Sequence, residues 1–329
     1  MSGVQIIKVK ADEEGMRVDR WFKTHFPSFR HGALEKCLRK GQVRVDGGRV
    51  KANRRLQAGE EIRVPPMSDA DAERRKKAPP ASPKDADFIR SHTIYEDDAV
   101  MAINKPFGLA VQGGAKTKRH VDGMLAALEK DGERPRLVHR LDRDTGGVLL
   151  LAKTRMAAQR LGEAFKTHTV HKTYWALVAG APRPREGVIS LAIAKRMVRI
   201  KSGLTEKVIP AGGEDAKKAV SLYQILDEAG HNVAFVALRP VTGRTHQLRV
   251  HCAAIECPVV GDGKYGGDAA HIEGVAPKLH LFCRSMQFRH PVTGRAMEIS
   301  APLTGHMAET WRFFGFDAGA TCEWPEEHS

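Results

Sequence analysis

The chain has 329 residues, 42% of them hydrophobic, and a formal net charge of +14, which together describe a soluble protein long enough for two or more domains. Residues 1–10 lack the apolar segment of a signal peptide and no apolar run reaches membrane-spanning length, so we expect a cytoplasmic protein with no membrane partner. The excess of positive charge indicates a polyanionic partner, although charge alone does not separate RNA from DNA or an anionic membrane.

The cysteines and histidines indicate neither a disulfide framework nor a metal site. The five cysteines form an odd set without close paired spacing, so we expect reduced thiols. The 15 histidines include no His or Cys pair with zinc-site spacing and a matching second pair, so no structural metal is predicted.

Residues 1–66 show the pattern of a small separate domain. Apolar side chains recur at helical spacing over residues 18–22 and 34–38, which predicts two short helices. Residues 43–45 and 62–64 alternate between apolar and polar, and Asp46-Gly47 is a hairpin-turn dipeptide, so a small β-ribbon is expected after the helices.

This domain carries much of the positive charge. Residues 1–66 contain 15 Lys and Arg against 8 Asp and Glu, so half of the excess charge lies in a fifth of the chain. The order of elements resembles the αL RNA-binding domain, which implies that its basic side chains contact RNA phosphates. A basic face that meets only solvent is the alternative. The candidate RNA-binding residues on and after the second helix are Arg30, Arg39, Lys40, Arg44, Arg54 and Arg55.

Residues 67–87 are predicted to be a flexible linker. They contain three prolines and no apolar period, and their five basic and five acidic residues cancel in charge. We therefore expect them to tether the two domains more than to attract a charged partner.

Residues 88–316 are predicted to form one larger domain of the α+β class, built on a mixed, largely antiparallel sheet. Its helices are expected after Thr154, after Pro240-Val241-Thr242-Gly243 and near Trp311. The predicted strands lie near residues 94–95, 100–103, 148–151, 170–178, 219–226, 233–239, 279–281 and 297–299. Residues 317–329 are expected to form a frayed tail without a function.

A charge-dense turn between two apolar runs stands out at residues 137–151. It places Asp142 between Arg140 and Arg143, which favours the ionised carboxylate. In an extended segment Asp144 shares a face with Asp142, as the acid and base of a glycoside-cleaving site do. A solvated loop with ordinary ion pairs is the alternative.

The string His139-Arg140-Leu141-Asp142-Arg143-Asp144-Thr145-Gly146-Gly147 resembles the signature of the RluA family of pseudouridine synthases. The resemblance implies that Asp142 is the single essential aspartate. Gly146 departs from the pattern, because many members have Ser or Thr there. Asn104-Lys105-Pro106-Phe107-Gly108 also fits the family.

Two further strings extend the resemblance. Lys172-Thr173-Tyr174-Trp175-Ala176-Leu177-Val178 resembles the second family motif, which implies that Tyr174 lines the uridine pocket, where it stacks on the base or takes up a proton. Residues 240–251 resemble the third motif, which implies that Arg244 pairs with Asp142. Without that context, Tyr174 is more often a core residue and Arg244 a solvated turn residue.

Residues 261–266 satisfy the dinucleotide-binding pattern G-x-G-x-x-G, but the polar, turn-rich residues after them offer no helix for a pyrophosphate. Tyr265 stands where a P-loop requires Ser or Thr. We therefore reject both nucleotide-binding interpretations.

The resemblance implies conversion of uridine to pseudouridine in RNA without a cofactor or an obligate protein partner. Asp142 attacks or stabilises the oxocarbenium-like centre, and Arg140 fills the place of the base that leaves the stack. The fused αL domain favours the large-subunit ribosomal RNA members, the RluC and RluD types, over the tRNA-modifying members. An N-glycosidase that uses Asp142 and Asp144, and a non-catalytic ribosome-assembly factor, remain alternatives.

Overall fold

The structure is a computed structural model, and it describes residues 3–26, 29, 31–66, 82–113, 117, 119–130, 132–200 and 203–324. Contacts within the chain divide it into two compact units, Met1–Pro80 and Ala81–Ser329. The division falls inside the segment for which a linker is predicted, and most of that segment, residues 67–81, lies outside the described residues.

The N-terminal unit packs two helices against a four-stranded antiparallel sheet with the strand order β1-β4-β2-β3. Asp46 and Gly47 both have positive φ, 46° and 73°, as the type I′ turn between β2 and β3 requires. The helices are α1 (Val18–His25) and α2 (His31–Arg39), and the strands are β1 (Gln5–Lys8), β2 (Arg44–Val45), β3 (Gly48–Arg49) and β4 (Glu61–Val64).

The apolar residues that predict the two helices form the core of this unit. Val18, Trp21 and Phe22 of α1 are fully buried, and Leu34 and Leu38 of α2 pack in the same cluster with the inward-facing residues of the strands. Burial of each large side chain stabilises the unit by about 1.5–3 kcal/mol.

The C-terminal unit contains the following helices and strands in the described residues. The helices are α3 (Pro83–Ser91), α4 (Val121–Met124), α5 (Arg155–Lys166), α6 (Gln247–Ala254) and α7 (Gly305–Phe314). The strands are β5 (Thr93–Glu96), β6 (Val100–Lys105), β7 (Arg136–Leu137), β8 (Gly146–Ala152), β9 (His171–Ala179), β10 (Glu186–Ile200), β11 (Gly203–Pro210), β12 (Lys217–Ala229), β13 (Val233–Pro240), β14 (Leu281–Arg289) and β15 (Ala296–Ser300).

Eleven strands form one sheet with the order β11-β10-β12-β13-β9-β14-β8-β6-β5, while β15 pairs with β14 and β7 with β8. Strands β14 and β8 are parallel, and every other strand pair in the described part of the chain is antiparallel. The predicted mixed, largely antiparallel α+β fold is therefore confirmed. All seven residues of β8 are buried, so the turn that precedes it is attached to the interior of the sheet.

Two predicted boundaries are wrong. The linker was predicted to extend to residue 87, but α3 begins at Pro83, with Ser82 as its N-cap. The prolines here indicate a linker, yet proline is well accommodated in the first turn of a helix, because the missing N–H has no helical partner there.

The tail was predicted to be frayed from residue 317, but residues up to 324 dock on the sheet. The indole Nε1 of Trp324 donates to Thr173 Oγ1 at 3.3 Å, and Arg239 lies over its ring at 4.9 Å. Residues 325–329 lie outside the described residues.

Within the described residues, no helix combines the length and apolar character that crossing a membrane requires. No group of three or more His, Cys, Asp or Glu side chains there is arranged to hold a metal ion. All five cysteines are free.

Candidate active site

A cavity of about 570 Å³ opens on the face of the sheet to which Tyr174 belongs. Asp142, Tyr174, Arg244 and Arg140 all line it, although they come from three separate parts of the sequence. Its volume is in the range of small-ligand pockets. The sequence-predicted residues of the C-terminal unit therefore meet at one site.

The turn that carries Asp142 is anchored by the two glycines after it. Gly147 has φ +102°, and a Cβ atom there would lie 2.1 Å from the Cys283 backbone oxygen on β14. A Cβ atom at Gly146 would lie 2.8 Å from the Phe107 ring, so a larger residue here would require that ring to move. Both glycines let β8 pack closely enough to fix the preceding turn.

A buried lysine holds the same turn from the other side. Lys105 at the end of β6 is fully buried, and its ammonium donates to the carbonyl oxygens of Pro106 and Leu109, both at 2.8 Å, and of Arg143 at 3.1 Å. Burial lowers the pKa of Lys105 to about 7, while the negative charges of Asp144 and Asp142 oppose this shift. The lysine therefore ties the turn after β6 to the turn that carries Asp142.

The Asp142 carboxylate is 30% exposed, and a histidine side chain lies beside it. Nε2 of His246 lies 3.7 Å from Asp142 Oδ2. The predicted pairing of Asp142 with Arg244 is not formed: Nε of Arg244 donates to the Lys218 backbone oxygen at 3.3 Å. Arg244 shares the cavity with Asp142 without contacting it, because the backbone between β13 and α6 brings His246 to the carboxylate instead.

The predicted pairing of Asp142 with Asp144 is also wrong. Residues 142–145 form a turn closed by the Thr145 amide, which donates to the Asp142 backbone oxygen at 3.2 Å. In a turn, residues two apart do not share a face as they do in a strand. Asp144 is exposed and does not line the cavity. Arg143 is directed elsewhere, since its Nε donates to Gly108 O at 3.0 Å.

Tyr174 is buried in the floor of the cavity. It lies on β9 opposite Cys283 of β14. Burial raises the pKa of Tyr174 well above its ordinary value, and the nearby Cys283 and Asp142 act in the same direction. Tyr174 therefore remains a neutral phenol, which suits stacking and hydrogen bonding better than accepting a proton.

Lys172 adds a lysine side chain to the lining of the cavity. It lies two residues before Tyr174, lines the cavity and has its ammonium 5.8 Å from the centre of the Phe165 ring. Within the described residues, its side chain has no ion pair or hydrogen bond. Burial lowers the pKa of Lys172.

His139 forms part of the same wall. Its ring stacks on Phe165 with 4.6 Å between centroids, and its Nε2 accepts a hydrogen bond from the Leu150 amide at 2.8 Å. Burial lowers the pKa of His139 to about 3, so the ring is a neutral structural support for the turn.

The loop before α6 is organised by a buried glutamine. Oε1 of Gln247 accepts from the Thr242 hydroxyl at 2.7 Å and from the Arg244 amide at 3.1 Å, and Nε2 donates to Val220 O at 2.8 Å. His246, which precedes this glutamine, has a positive φ of 55°. Its side chain thereby turns into the cavity.

Residues 261–266, which match the dinucleotide pattern, lie beside the cavity. The 3₁₀ turn Gly267–Ala270 follows them, and no α-helix does, which agrees with the rejection of a dinucleotide site. Asp262 is buried and binds the Arg249 guanidinium through both oxygens, at 2.7 and 2.6 Å. The Arg249 guanidinium also lies 5.0 Å from the centre of the Tyr265 ring.

The basic residues predicted for RNA binding in the N-terminal unit differ from one another. Arg39 and Lys40 are exposed and have no ion pair in the described part of the chain. In contrast, the two terminal guanidinium nitrogens of Arg54 donate to the Glu60 carboxylate, at 2.8 and 2.7 Å. Arg54 is therefore neutralised, which makes it a poor phosphate ligand. Arg44 and Arg55 are exposed, and within the described residues their side chains donate only to backbone oxygens. Arg30 lies outside the described residues.

Sequence reasoning missed several residues of the site. Three of them lie inside the sequence strings that resemble the family motifs, namely Lys172, His246 and Arg249. Their closeness in sequence to Tyr174 and Arg244 could have marked them as candidate site residues. Asp262 and Tyr265 were considered only as part of a nucleotide motif. Their contacts with α6 depend on the tertiary fold.

Comparison with known proteins identifies the chain. The sequence profile of the family described as RNA pseudouridylate synthase matches residues 99–254. Ribosomal large subunit pseudouridine synthase C of Vibrio cholerae is 35% identical over 310 residues, 93% of this chain and 95% of that protein. The protein of the same name from Escherichia coli is 34% identical over 305 residues, 91% of this chain and 93% of that protein.

A solved structure agrees with these sequence matches. Human RNA Pseudouridylate Synthase Domain Containing 4 superposes with a TM-score of 0.57 at 27% identity, covering 70% of this chain and 95% of that one. The matches confirm the resemblance indicated by the three motifs. The chain belongs to the RNA pseudouridylate synthase family, and it is an enzyme.

Proposed function

We propose that this enzyme isomerises uridine to pseudouridine in RNA and that Asp142 is its catalytic carboxylate. The observation that carries the proposal is the meeting of Asp142 and Tyr174 in one cavity at the start of the central strand β8. A carboxylate held on a rigid strand end and a neutral aromatic side chain suit attack at a ribosyl centre and stacking on a nucleobase.

Each side chain has a defined task in the proposed reaction. The bond between C1′ and N1 breaks with its electron pair on uracil, and Asp142 attacks or stabilises the electron-deficient ribose. Uracil then turns and C5 bonds to C1′, which releases the Asp142 carboxylate where it had bonded to that carbon. The proton on C5 passes to water, and N1 takes up a proton from water. Tyr174, as a phenol, holds the detached base, and the exposed guanidinium of Arg140 at the cavity rim occupies the place that the base leaves.

Lys172 supplies charge to the same reaction. The detached uracil carries the negative charge of the broken bond, and the ammonium of Lys172 lines the cavity without a partner in the described residues. A positive group aimed at charge that develops during a reaction stabilises the transition state.

We further propose that the substrate is large-subunit ribosomal RNA. The relatives from V. cholerae and E. coli carry names that state this substrate class. A tRNA substrate is the remaining alternative within the family. The cytoplasmic location and the absence of an obligate protein partner stay predictions from the sequence.

The N-terminal unit is proposed to bind RNA as an αL-type domain. Arg39 and Lys40 at the end of α2 expose their charges without an ion pair in the part of the chain that the structure describes. Arg44 and Arg55 keep net positive charge because their contacts are to neutral carbonyl groups. Phosphate binding requires no more than such charge, which orients the RNA without reading its sequence.

Tritium release tests the catalytic proposal. In RNA labelled at C5 of uridine, formation of the new C5–C1′ bond releases the label. We expect release by the unchanged enzyme and a reduction of at least about 10⁴-fold in Asp142→Asn, which removes the attacking group, with RNA affinity preserved. Asp144→Asn is the matched control and keeps most of the activity, because Asp144 lies outside the cavity.

Two outcomes would contradict the proposal. Undiminished release by Asp142→Asn would remove the assigned role of the carboxylate. Free uracil among the products would show N-glycosidase activity instead of isomerisation. For the substrate, the enzyme is expected to restore pseudouridines to large-subunit ribosomal RNA from cells that lack it, and restoration in tRNA alone would overturn that assignment.

A further inference from the structure

The loop of residues 261–266 reaches the proposed catalytic carboxylate through one histidine. The hydroxyl of Tyr265 lies 2.6 Å from Nδ1 of His246, and Nε2 of the same ring lies 3.7 Å from Asp142 Oδ2. Tyr265, His246 and Asp142 therefore stand in a row that ends in the cavity.

The partners of the row indicate where its protons lie. The Val208 amide donates to the Tyr265 hydroxyl at 3.4 Å, which leaves the hydroxyl proton free for His246 Nδ1. The other ring nitrogen faces a carboxylate, which favours a proton on Nε2. Both ends of the ring thus favour the same neutral tautomer, with Nδ1 accepting from Tyr265 and Nε2–H directed at Asp142.

The charges that face His246 come from several elements. Asp142 and Asp262 are negative and favour protonation of the ring, while Arg249 and Lys264 are positive and oppose it. Burial is the largest influence, and the pKa of His246 is lowered overall. The ring is therefore neutral near pH 7. A neutral ring carries one N–H proton, so the tautomer decides which nitrogen donates and which accepts.

The residues around Tyr265 and His246 are held in place by further contacts. Asp262 is fully buried and accepts from the Tyr265 amide at 3.2 Å as well as from Arg249. Arg249 in turn packs on the Tyr265 ring, with its guanidinium carbon 5.0 Å from the ring centre. His246 has φ 55°, a left-handed conformation that is uncommon for a non-glycine residue.

We propose that Tyr265 and His246 are positioning residues for the reaction, and that they form a relay in which the tyrosine fixes the histidine tautomer and the histidine aims Asp142. The inference rests on the proposed function, since it assigns Asp142 the catalytic role. It gives the loop of residues 261–266 a task that its sequence pattern does not indicate.

Tyr265→Phe tests the relay with the smallest change. It removes one hydroxyl and keeps the ring on which Arg249 packs. We expect kcat to fall by about five- to tenfold, the effect of one lost hydrogen bond, with KM for the RNA unchanged. Tyr223→Phe is the matched control: its hydroxyl donates to Pro184 O at 3.0 Å, outside the cavity, and its loss leaves kcat unchanged.

His246→Gly tests the second member. Glycine adopts a positive φ without strain, so the loop retains its conformation while the ring is lost. We expect kcat to fall by about 10²-fold, as for a misaligned reacting group, and to recover in part on addition of imidazole. A structural role alone gives no rescue by imidazole.

Nitrogen-15 NMR of histidine-labelled protein tests the tautomer without reference to activity. The His246 signal, assigned by its absence in His246→Gly, is expected to report Nε2–H in the unchanged protein and a tautomer mixture in Tyr265→Phe. An Nδ1–H signal, or a Tyr265→Phe enzyme with unchanged kcat, would overturn the relay. An unchanged protein that releases no tritium from any RNA, yet shows the expected tautomer, would instead refute the proposed function.

Discussion

The two units of the molecule handle positive charge in opposite ways. Around the cavity of the C-terminal unit, Lys105 is fully buried with three carbonyl partners, and Arg249 is held by both oxygens of Asp262. In the N-terminal unit, Arg39 and Lys40 stand exposed without an ion pair among the described residues. The charges of Lys105 and Arg249 are thus fixed beside the cavity, whereas those of Arg39 and Lys40 at the end of α2 face solvent.

The contrast reflects what each task requires. Chemistry at a ribose needs a carboxylate in one orientation, and misplacement by about 1 Å can cost about 10²-fold in rate. Binding to a phosphate backbone needs net charge within reach, and its strength depends mainly on how many counterions are released. We therefore expect substitutions in the two units to change different measured quantities.

Among the substitutions that remove a positive charge, the largest effect is expected at the buried lysine. Lys105→Met leaves three carbonyl oxygens without a donor and should lower the free energy of unfolding by about 3 kcal/mol. The loss should depend on pH. The folded-state pKa of Lys105 is lowered from 10.5 to about 7, so between these values the unfolded chain binds more protons and the unchanged protein gains stability as pH rises.

Urea unfolding at pH 6 and pH 9 measures this dependence. The difference between the unchanged protein and Lys105→Met should grow over that interval by roughly 1 kcal/mol for each pH unit above the folded-state pKa. A difference that stays constant with pH would show that the lysine does not titrate in this range.

A smaller loss, confined to catalysis, is expected at Lys172. Lys172→Met removes the ammonium that lines the cavity and should reduce kcat by about 10²-fold, as loss of one charge-stabilising group does. RNA affinity and the urea midpoint should change little. Lys166→Met is the matched control, because Lys166 is exposed on α5 and paired with Glu163. Equal losses in both variants would contradict a specific role for Lys172.

The smallest effect is expected in the N-terminal unit. Replacing Arg39 and Lys40 together by glutamine should weaken RNA binding roughly tenfold at low salt and reduce the slope of log K against log salt by about 1 to 2, with kcat at saturating RNA unchanged. Arg54→Gln is the control with a much smaller effect on binding, since Glu60 already neutralises this arginine. A salt slope unchanged in the double variant would argue against RNA binding by α2.

Local patterns predicted the elements that local forces determine. The helix after Thr154 was predicted from its cap and apolar spacing, and Thr154 Oγ1 indeed accepts from the Ala157 amide at 3.1 Å. The family strings located Asp142 and Tyr174, whose cavity the structure contains. In these cases a few residues that are adjacent in the sequence are sufficient for the prediction.

Contacts between distant residues were not predictable in this way. His246, which lies near Asp142 where Arg244 was predicted, has a positive φ, in a loop that the buried side chain of Gln247 holds through the Arg244 amide. The docking of Trp324 depends on Thr173, which lies 151 residues earlier in the chain. Tertiary packing determines both the position of His246 and the docking of Trp324, so no short sequence pattern predicts either.

The close approach at Gly147 predicts two classes of inactive missense alleles, one that loses the folded protein and one that loses only activity. Any side chain at this position collides with the backbone of the neighbouring strand, which has no rotamer to change, so missense alleles at codon 147 should yield little soluble enzyme. Missense alleles at codon 142 should yield normal amounts of inactive enzyme. A mutational scan that records enzyme abundance and RNA modification separately would therefore distinguish Asp142 in the turn from Gly147 in the strand that follows it by the way in which each variant fails.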